Sequence, residues 1–219
     1  AIIAIILSSS FGLYTWMNNP ESQMVAVTVR AGSKAEMALP DGTFVHLNAA
    51  TNLEYDVNNS KQRLVKLSGE AFFDVAKNPD CPFKVIINDL QIEVVGTSFN
   101  VKTYKKDIVE TSLLSGRIRI SGGSLPHEYT LSPGQKATYS AMDRTLRISK
   151  ADAHVEAGWR DNYLIFESTP LIDVIAQIER WYGVEIRLHH KQIAQDLLSG
   201  SFRNESIQNV IRSLSIQYG

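Results

Sequence analysis

The sequence contains almost no cysteine, and Cys81 alone cannot form an internal disulfide. It also lacks an excess of charge of either sign, since 22 basic and 23 acidic side chains give a net charge of −1. A surface that binds nucleic acid needs a basic excess, so this balance gives no reason to expect a nucleic-acid partner. The apolar fraction of 44% and the charged fraction of 21% are those of an ordinary globular protein.

The motifs of common catalytic and metal sites are absent from the sequence as well. Gly122-Gly123 is not followed by the lysine of a phosphate-binding loop, and no serine lies in a G-x-S-x-G elbow. We therefore expect no catalytic residue, no metal site and no cofactor. The histidines have no zinc-site spacing, and they are His46, His127, His154, His189 and His190.

Two carboxylates remain as candidates for glycoside chemistry. Glu70 and Asp74 lie on the same face of a strand predicted over Leu67–Ala76. Four residues along a strand separate them by about 13 Å, whereas the two carboxylates of a glycosidase lie about 5–10 Å apart. We therefore interpret both side chains as exposed residues of a sheet face.

The first stretch, Ala1–Met17, contains no charged residue. A spanning helix needs about 20 apolar residues, so we interpret this stretch as the outer part of a transmembrane helix whose beginning is missing. Tyr14 and Trp16 fit the aromatic belt at the water interface. The alternative is a signal peptide, which is weakened by the lack of a basic start and by a poor cleavage site. Residues 18–24 would be a linker.

Residues 25–150 alternate short apolar runs with turn residues, which indicates many β-strands. In Leu67–Ala76, the residues Ala71, Phe73 and Val75 share one face, and Gly69 marks a bulge or bend. No clean repeat period occurs, so a sandwich, a barrel and a solenoid remain open. Besides Leu67–Ala76 and Val95–Val101, the expected strands are 25–29, 44–47, 53–57, 63–67, 83–87, 90–95, 109–114, 116–120, 129–131, 135–139 and 146–149.

After Trp159 the apolar residues follow helical spacing from Leu171 to Tyr182. Ser168 or Thr169 is expected to cap the start of this helix, and Gly183 is expected to end it. Val184–Leu188 then alternates as a strand does.

The same pattern returns at an offset of 36 residues, as from Phe166 to Phe202 and from Tyr182-Gly183 to Tyr218-Gly219. The duplication predicts two consecutive strand–helix–strand units over residues 161–219, with a linker at 151–160 before them. Because the second closing strand is missing, we expect this domain to be incomplete at its C-terminal end and the natural chain to continue past Gly219.

Several short motifs occur in a fixed order between Val25 and Gly219. In this order they resemble the FecR family of anti-sigma factors, and the Bacteroidetes-type branch in particular. The motifs are Ala31-Gly-Ser33, Leu39-Pro-Asp-Gly-Thr43, Leu67-Ser-Gly-Glu-Ala-Phe-Phe-Asp-Val75, Val95-Gly-Thr-Ser-Phe-Asn-Val101, Leu131-Ser-Pro-Gly-Gln135 and Arg180-Trp-Tyr-Gly183.

The resemblance implies a mainly β fold, a short-strand sandwich or solenoid-like region over 25–150. It implies that a small α+β domain of two βαβ units follows over 161–219, similar to the secretin/TonB short N-terminal domain. It also implies a non-enzymatic signal transducer that crosses the inner membrane once and has most of this chain in the periplasm.

The partners implied by the resemblance are proteins. One is the N-terminal signalling domain of a TonB-dependent outer-membrane transporter. The other is an extracytoplasmic-function sigma factor, which would bind a cytoplasmic domain that is absent from this chain. The rival class is a carbohydrate-binding or carbohydrate-cleaving periplasmic β protein. That class needs exposed aromatic platforms, whereas the aromatic residues of the β region fall at core-like alternating positions.

We expect the partner surface on the duplicated domain, because sheet edges are templates for strand addition. Phe202 is expected in the core instead, since Phe166 has the same place in the first unit. The candidate residues of this edge are Val184, Glu185, Ile186, Arg187, Leu188, Leu198, Ser199, Gly200, Ser201 and Arg203.

Overall fold

The structure is a computed structural model that describes residues 23–57 and 63–218. The expected transmembrane segment, Ala1–Met17, lies outside these residues, as does most of the expected linker at 18–24. In the two described ranges, none of the helices has the length and apolar character that crossing a bilayer requires.

The described chain begins with fourteen short strands and ends with alternating helices and strands. The helices are α1 (Ala153–Ala157), α2 (Leu171–Tyr182) and α3 (Ile207–Tyr218), with 3₁₀ turns at Gly158–Asp161 and Lys191–Gln195. The strands are β1 (Met24–Val29), β2 (Ala35–Ala38), β3 (Phe44–Leu47), β4 (Thr51–Asp56), β5 (Arg63–Ser68), β6 (Glu70–Asp74), β7 (Phe83–Ile87), β8 (Leu90–Val94), β9 (Ser98–Lys102), β10 (Ile108–Ser115), β11 (Ile118–Gly122), β12 (Tyr129–Leu131), β13 (Gln135–Ser140), β14 (Thr145–Lys150), β15 (Tyr163–Pro170) and β16 (Leu197–Arg203).

The first fourteen strands form two seven-stranded sheets. Sheet A has the order β1-β4-β5-β7-β8-β11-β12, and sheet B has the order β14-β13-β10-β9-β6-β3-β2. The chain passes between the sheets mostly two strands at a time, as in a solenoid, while the inner faces of both sheets share one apolar core, as in a sandwich. The predicted fold class, mainly β with a small α+β region after it, is confirmed.

Alternation along the strands places the core residues as the sequence predicts. Ala71, Phe73 and Val75 are buried between the sheets. Phe73 stacks on Phe99 with ring centroids 5.2 Å apart and lies 5.8 Å from Phe83 of the opposite sheet. This aromatic group is the centre of the sandwich.

The prediction of one continuous strand over Leu67–Ala76 is wrong. β5 ends at Ser68 in sheet A, and β6 begins at Glu70 in sheet B, so Gly69 is the point at which the chain changes sheets. Its φ of +112° is unfavourable for other residues, and a Cβ there would lie 2.5 Å from Thr51 Oγ1. The predicted strand at Val95–Val101 is also shorter, because β9 begins only at Ser98.

The C-terminal unit, residues 163–218, has a separate apolar core. Its two strands, β15 and β16, pair antiparallel, and the predicted stripe of α2 is buried against them. Phe166 and Phe202, which match in the internal duplication, meet with ring centroids 6.4 Å apart. Helix α2 ends at Gly183, as predicted, with a φ of +68°.

Two predictions about this unit are wrong. Ser168 and Thr169 do not cap α2, because both belong to β15 and no side chain caps the helix. Val184–Leu188 is not part of a described strand. Its alternation reflects packing instead, since Ile186 and Leu188 lie against the core while the Ile186 N–H donates to Glu179 Oε1 at 2.7 Å.

Substitution of Gly69 tests the change of sheets. We expect Gly69→Ala to lower the free energy of unfolding by about 3 kcal/mol, because alanine is strained at this φ and its Cβ would meet the backbone of Thr51. The matched control is Gly134→Ala, at a φ of +79° with no atom within 4 Å of the added Cβ. It should cost only about 1 kcal/mol. Equal losses in urea denaturation would contradict this role of Gly69.

Candidate functional site

The C-terminal unit and the turn before it cover part of the outer face of sheet B, and we call this contact the joint. Its members are Lys34, Phe72, Asn100, Trp159 and Trp181. Phe72 points outward because its neighbours in β6 point into the core, and the register of β6 with β9 places Asn100 directly opposite Phe72. The joint therefore starts from a paired apolar and polar residue in mid-sheet.

Trp159 fills the centre of the joint. It lies in the 3₁₀ turn after α1, is only 6% exposed, and packs with Phe72, Ala157 and Trp181. Its indole Nε1 donates a hydrogen bond to Asn100 Oδ1 at 3.1 Å. The side chain thus contributes apolar contact to both parts of the protein while its single polar atom remains satisfied.

Glu70 is buried beneath the joint, which corrects the prediction of an exposed residue. It is 7% exposed, and its carboxylate accepts hydrogen bonds from Asn48 Nδ2 at 2.8 Å and Asn100 Nδ2 at 3.0 Å. Asp74 is exposed, as predicted, and accepts from Ser98 Oγ at 2.8 Å. Glu70 therefore has a structural role, since it binds two amides, and one of them, that of Asn100, also accepts the hydrogen bond from Trp159.

Lys34 reaches the joint from the segment between β1 and β2. Its ammonium donates to Trp159 O at 2.6 Å and to Asn162 Oδ1 at 3.0 Å, and it lies 3.7 Å from the ring centroid of Trp181. The residue keeps contact with solvent. Desolvation of the ammonium nevertheless lowers the pKa of Lys34 from 10.5 to about 8, and this effect outweighs the nearby carboxylates of Glu70 and Asp161, which raise the pKa.

Two of the short sequence motifs, Ala31-Gly-Ser33 and Arg180-Trp-Tyr-Gly183, meet at the joint. The Gly32 N–H donates to Arg180 O at 2.8 Å, so the Ala31-Gly-Ser33 turn holds the end of α2. The approach is close, because a Cβ on Gly32 would lie 3.2 Å from Tyr182 O. The Arg180 guanidinium lies 4.1 Å from the ring centroid of Tyr104, and burial together with Glu70 raises the pKa of that phenol. The motifs thus connect the two parts of the chain.

A polar cleft of about 480 Å³ opens beside the joint, between sheet B and the α2 side of the C-terminal unit. Lys105 and Asp173 span it with an ion pair at 2.6 Å, and Lys136 pairs with Glu156 at 2.6 Å. An exposed pair such as Lys105 and Asp173 stabilises by about 0–1 kcal/mol, whereas Lys136 and Glu156 are half-buried. Among the residues that the structure describes, no group of His, Cys, Asp and Glu side chains is placed to hold a metal ion.

The structure does not bring the two halves of the predicted partner surface into one pair of strands. Leu198–Arg203 lies in β16, which pairs with β15, whereas Val184–Leu188 is irregular. In β16, the predicted residues Ser199, Gly200, Ser201 and Arg203 are exposed and Leu198 is in the core. Phe202 packs against the core, as predicted.

The sequence did not point to Lys34 or Asn100 as members of a site. A signal was present for Lys34, which directly follows the Ala31-Gly-Ser33 motif. Asn100 lies inside the Val95–Val101 motif, but it could be recognised only once the strand register placed it opposite Phe72.

The lowered pKa of Lys34 predicts a pH dependence of stability. The folded protein loses this proton near pH 8, while the unfolded chain keeps it up to about 10.5. Between these values the unfolded state binds more protons, so the free energy of unfolding should rise with pH. We expect wild-type protein to gain stability over Lys34→Met from about pH 7.5 to about pH 10 in urea denaturation. A constant or falling difference would contradict the desolvated setting of the ammonium.

Comparisons with known proteins agree with this two-part organisation. The family models described as "FecR protein" and "FecR, C-terminal" match residues 25–119 and 163–219. Two crystal structures of a candidate anti-sigma factor from Parabacteroides distasonis ATCC 8503 are 30% identical in sequence, with TM-scores of 0.80. The match covers 88% of this chain and 91% of that chain in one structure, and 89% and 92% in the other. No curated protein matches the sequence. The chain belongs to the FecR family of anti-sigma factors.

Proposed function

We propose that this chain is the sensor portion of a transmembrane anti-sigma factor. It would relay a signal from a TonB-dependent outer-membrane transporter to an extracytoplasmic-function sigma factor by protein–protein contact. The observation that carries the proposal is the joint, because Trp159 and Lys34 hold the C-terminal unit against sheet B. A partner that binds the C-terminal unit therefore acts on the sandwich directly.

The membrane topology is part of the proposal. The charge-free segment Ala1–Met17 would lie in the inner membrane, with the sandwich and the C-terminal unit in the periplasm. The sigma factor would bind a cytoplasmic domain on the other side of this segment. The sandwich follows the segment closely, since β1 of sheet A begins at Met24, so movement of the sandwich would reach the membrane through few residues.

We propose the free edge of β16 as the surface for the transporter's N-terminal signalling domain. Ser199, Gly200 and Ser201 are exposed there, and an added Cβ at Gly200 would meet no atom within 4 Å. An incoming strand could then form main-chain hydrogen bonds along β16. In the same unit, the exposed residues Val184, Glu185 and Arg187 supply a secondary contact.

We expect no hydrolase activity from this chain. The family is one of regulators, and the Glu70 carboxylate is occupied by two asparagine amides. The rival carbohydrate-binding function has little support, because Phe73, Phe83 and Phe99 are fully buried in the sandwich and cannot form a platform for a sugar ring.

A lysine on the proposed edge tests this function. In isothermal titration with the signalling domain of the cognate transporter, Ser201→Lys should weaken binding at least about tenfold, or about 1.4 kcal/mol, because an edge lysine opposes strand addition. The matched control is Thr130→Lys, an exposed position on edge strand β12 of the sandwich, which should bind as the wild type does. Unchanged binding by Ser201→Lys, or equal losses in both variants, would contradict the proposed edge.

A further inference from the structure

The outer edge of β16 is open. In the described parts of the chain, β15 is its one strand partner, so the backbone groups on the other side face outward. Leu197 at the start of the strand is 62% exposed. A two-stranded sheet is only marginally stable alone, and further strands stabilise it.

Natural edges are protected by charges, proline or short length. Two other edges of this protein have such protection, since β14 carries Arg147 and Lys150 and β12 has three residues, whereas β1 at the edge of sheet A lacks charge and proline as most of β16 does. In β16, the six residues from Leu197 to Phe202 have neither a charge nor a proline. The edge is thus suited to pairing with another strand.

The sequence of β16 is complementary to itself when read antiparallel about Gly200. Leu198 then lies opposite Phe202 of a second copy, and Ser199 lies opposite Ser201. The apolar pair falls on the core side, where Leu198 is buried and Phe202 is only partly covered. Opposite residues of antiparallel strands have Cβ atoms about 4.5–5.5 Å apart, so each Phe202 would gain an apolar neighbour.

The charges at the ends of β16 also agree with this register. The end that carries Arg203 meets the end of the second copy that carries Asp196, and both residues are exposed. The two Arg203 side chains are at opposite ends of the pairing, so like charges do not face each other. Seven residue pairs would form about six to eight new main-chain hydrogen bonds.

We propose that two copies of this chain form an isologous dimer by antiparallel pairing of β16 with β16, centred on Gly200. The pairing gives a continuous four-stranded sheet, β15-β16-β16-β15, and is closed by its two-fold axis. Self-pairing does not rest on the proposed function. Its consequence does, because the dimer occupies the edge assigned to the transporter's signalling domain, and binding of that domain would require dissociation of the two copies.

Cysteine cross-linking tests the register directly. In the full chain with Cys81→Ser, kept in mild detergent, Gly200→Cys should give a disulfide-linked dimer on mild oxidation, because the two residues are directly opposite. Leu197→Cys is the matched control on the same exposed strand. Its counterpart would lie about 20 Å away, six residues along the strand, so this variant should form the same non-covalent dimer but no disulfide-linked one. Equal cross-linking at both positions, or none at either, would overturn the proposal.

Charge pairs give a second test without a new covalent bond. Ser199→Lys with Ser201→Lys places lysines opposite each other in the dimer, whereas Ser199→Lys with Ser201→Glu places lysine opposite glutamate. Both double variants lose the same contact, the bond from Ser168 N–H to Ser199 Oγ. Sedimentation equilibrium should show monomer for the first variant and dimer for the second. The same oligomeric state in both would overturn the register.

These experiments contain no transporter, so their failure leaves the proposed function untouched. Conversely, if the dimer forms in the predicted register and still binds the signalling domain without dissociating, the proposed dimer stands. In that case the use of the β16 edge by the transporter would be excluded.

Discussion

The contact of the Trp159 indole with the outer face of sheet B is the constraint on which the rest of the organisation depends. The indole lies against Phe72, donates to Asn100 and contacts Trp181 of the C-terminal unit. Replacing a buried tryptophan by alanine costs about 3–5 kcal/mol, whereas the exposed ion pair of Lys105 and Asp173 across the neighbouring cleft contributes about 0–1 kcal/mol. The apolar anchor therefore holds the two parts together, and the Lys34 ammonium adds orientation.

This arrangement gives the proposed relay a physical basis. The C-terminal unit is attached at one side by the joint and faces a polar cleft of about 480 Å³ at the other. A partner strand added to β16 would pull on a unit that has one firm contact and one weak one, the pair of Lys105 and Asp173. In the proposed movement, the C-terminal unit turns about the joint and the width of the cleft changes. The joint transmits this change to sheet B.

The sequence predicted what depends on local periodicity. Burial repeats every second residue in a strand, so the core positions of β6 followed from alternation, and the stripe of α2 followed from helical spacing. Glu70 was misjudged because the side chains that surround it, such as Asn48, Asn100 and Arg180, come from parts of the chain that are distant in sequence. Val184–Leu188 was misjudged because alternation records packing on one side and cannot show whether a backbone partner is present.

The measurement that most directly tests the joint is the distance between the two parts in solution. Spin labels at Thr130 and Gln208, both exposed, would report it by pulsed electron paramagnetic resonance in a Cys81→Ser chain diluted with unlabelled protein. We expect one narrow distance distribution in the otherwise wild-type chain and a broad one with Trp159→Ala. An equally narrow distribution after loss of the indole, or a broad one before it, would contradict the account.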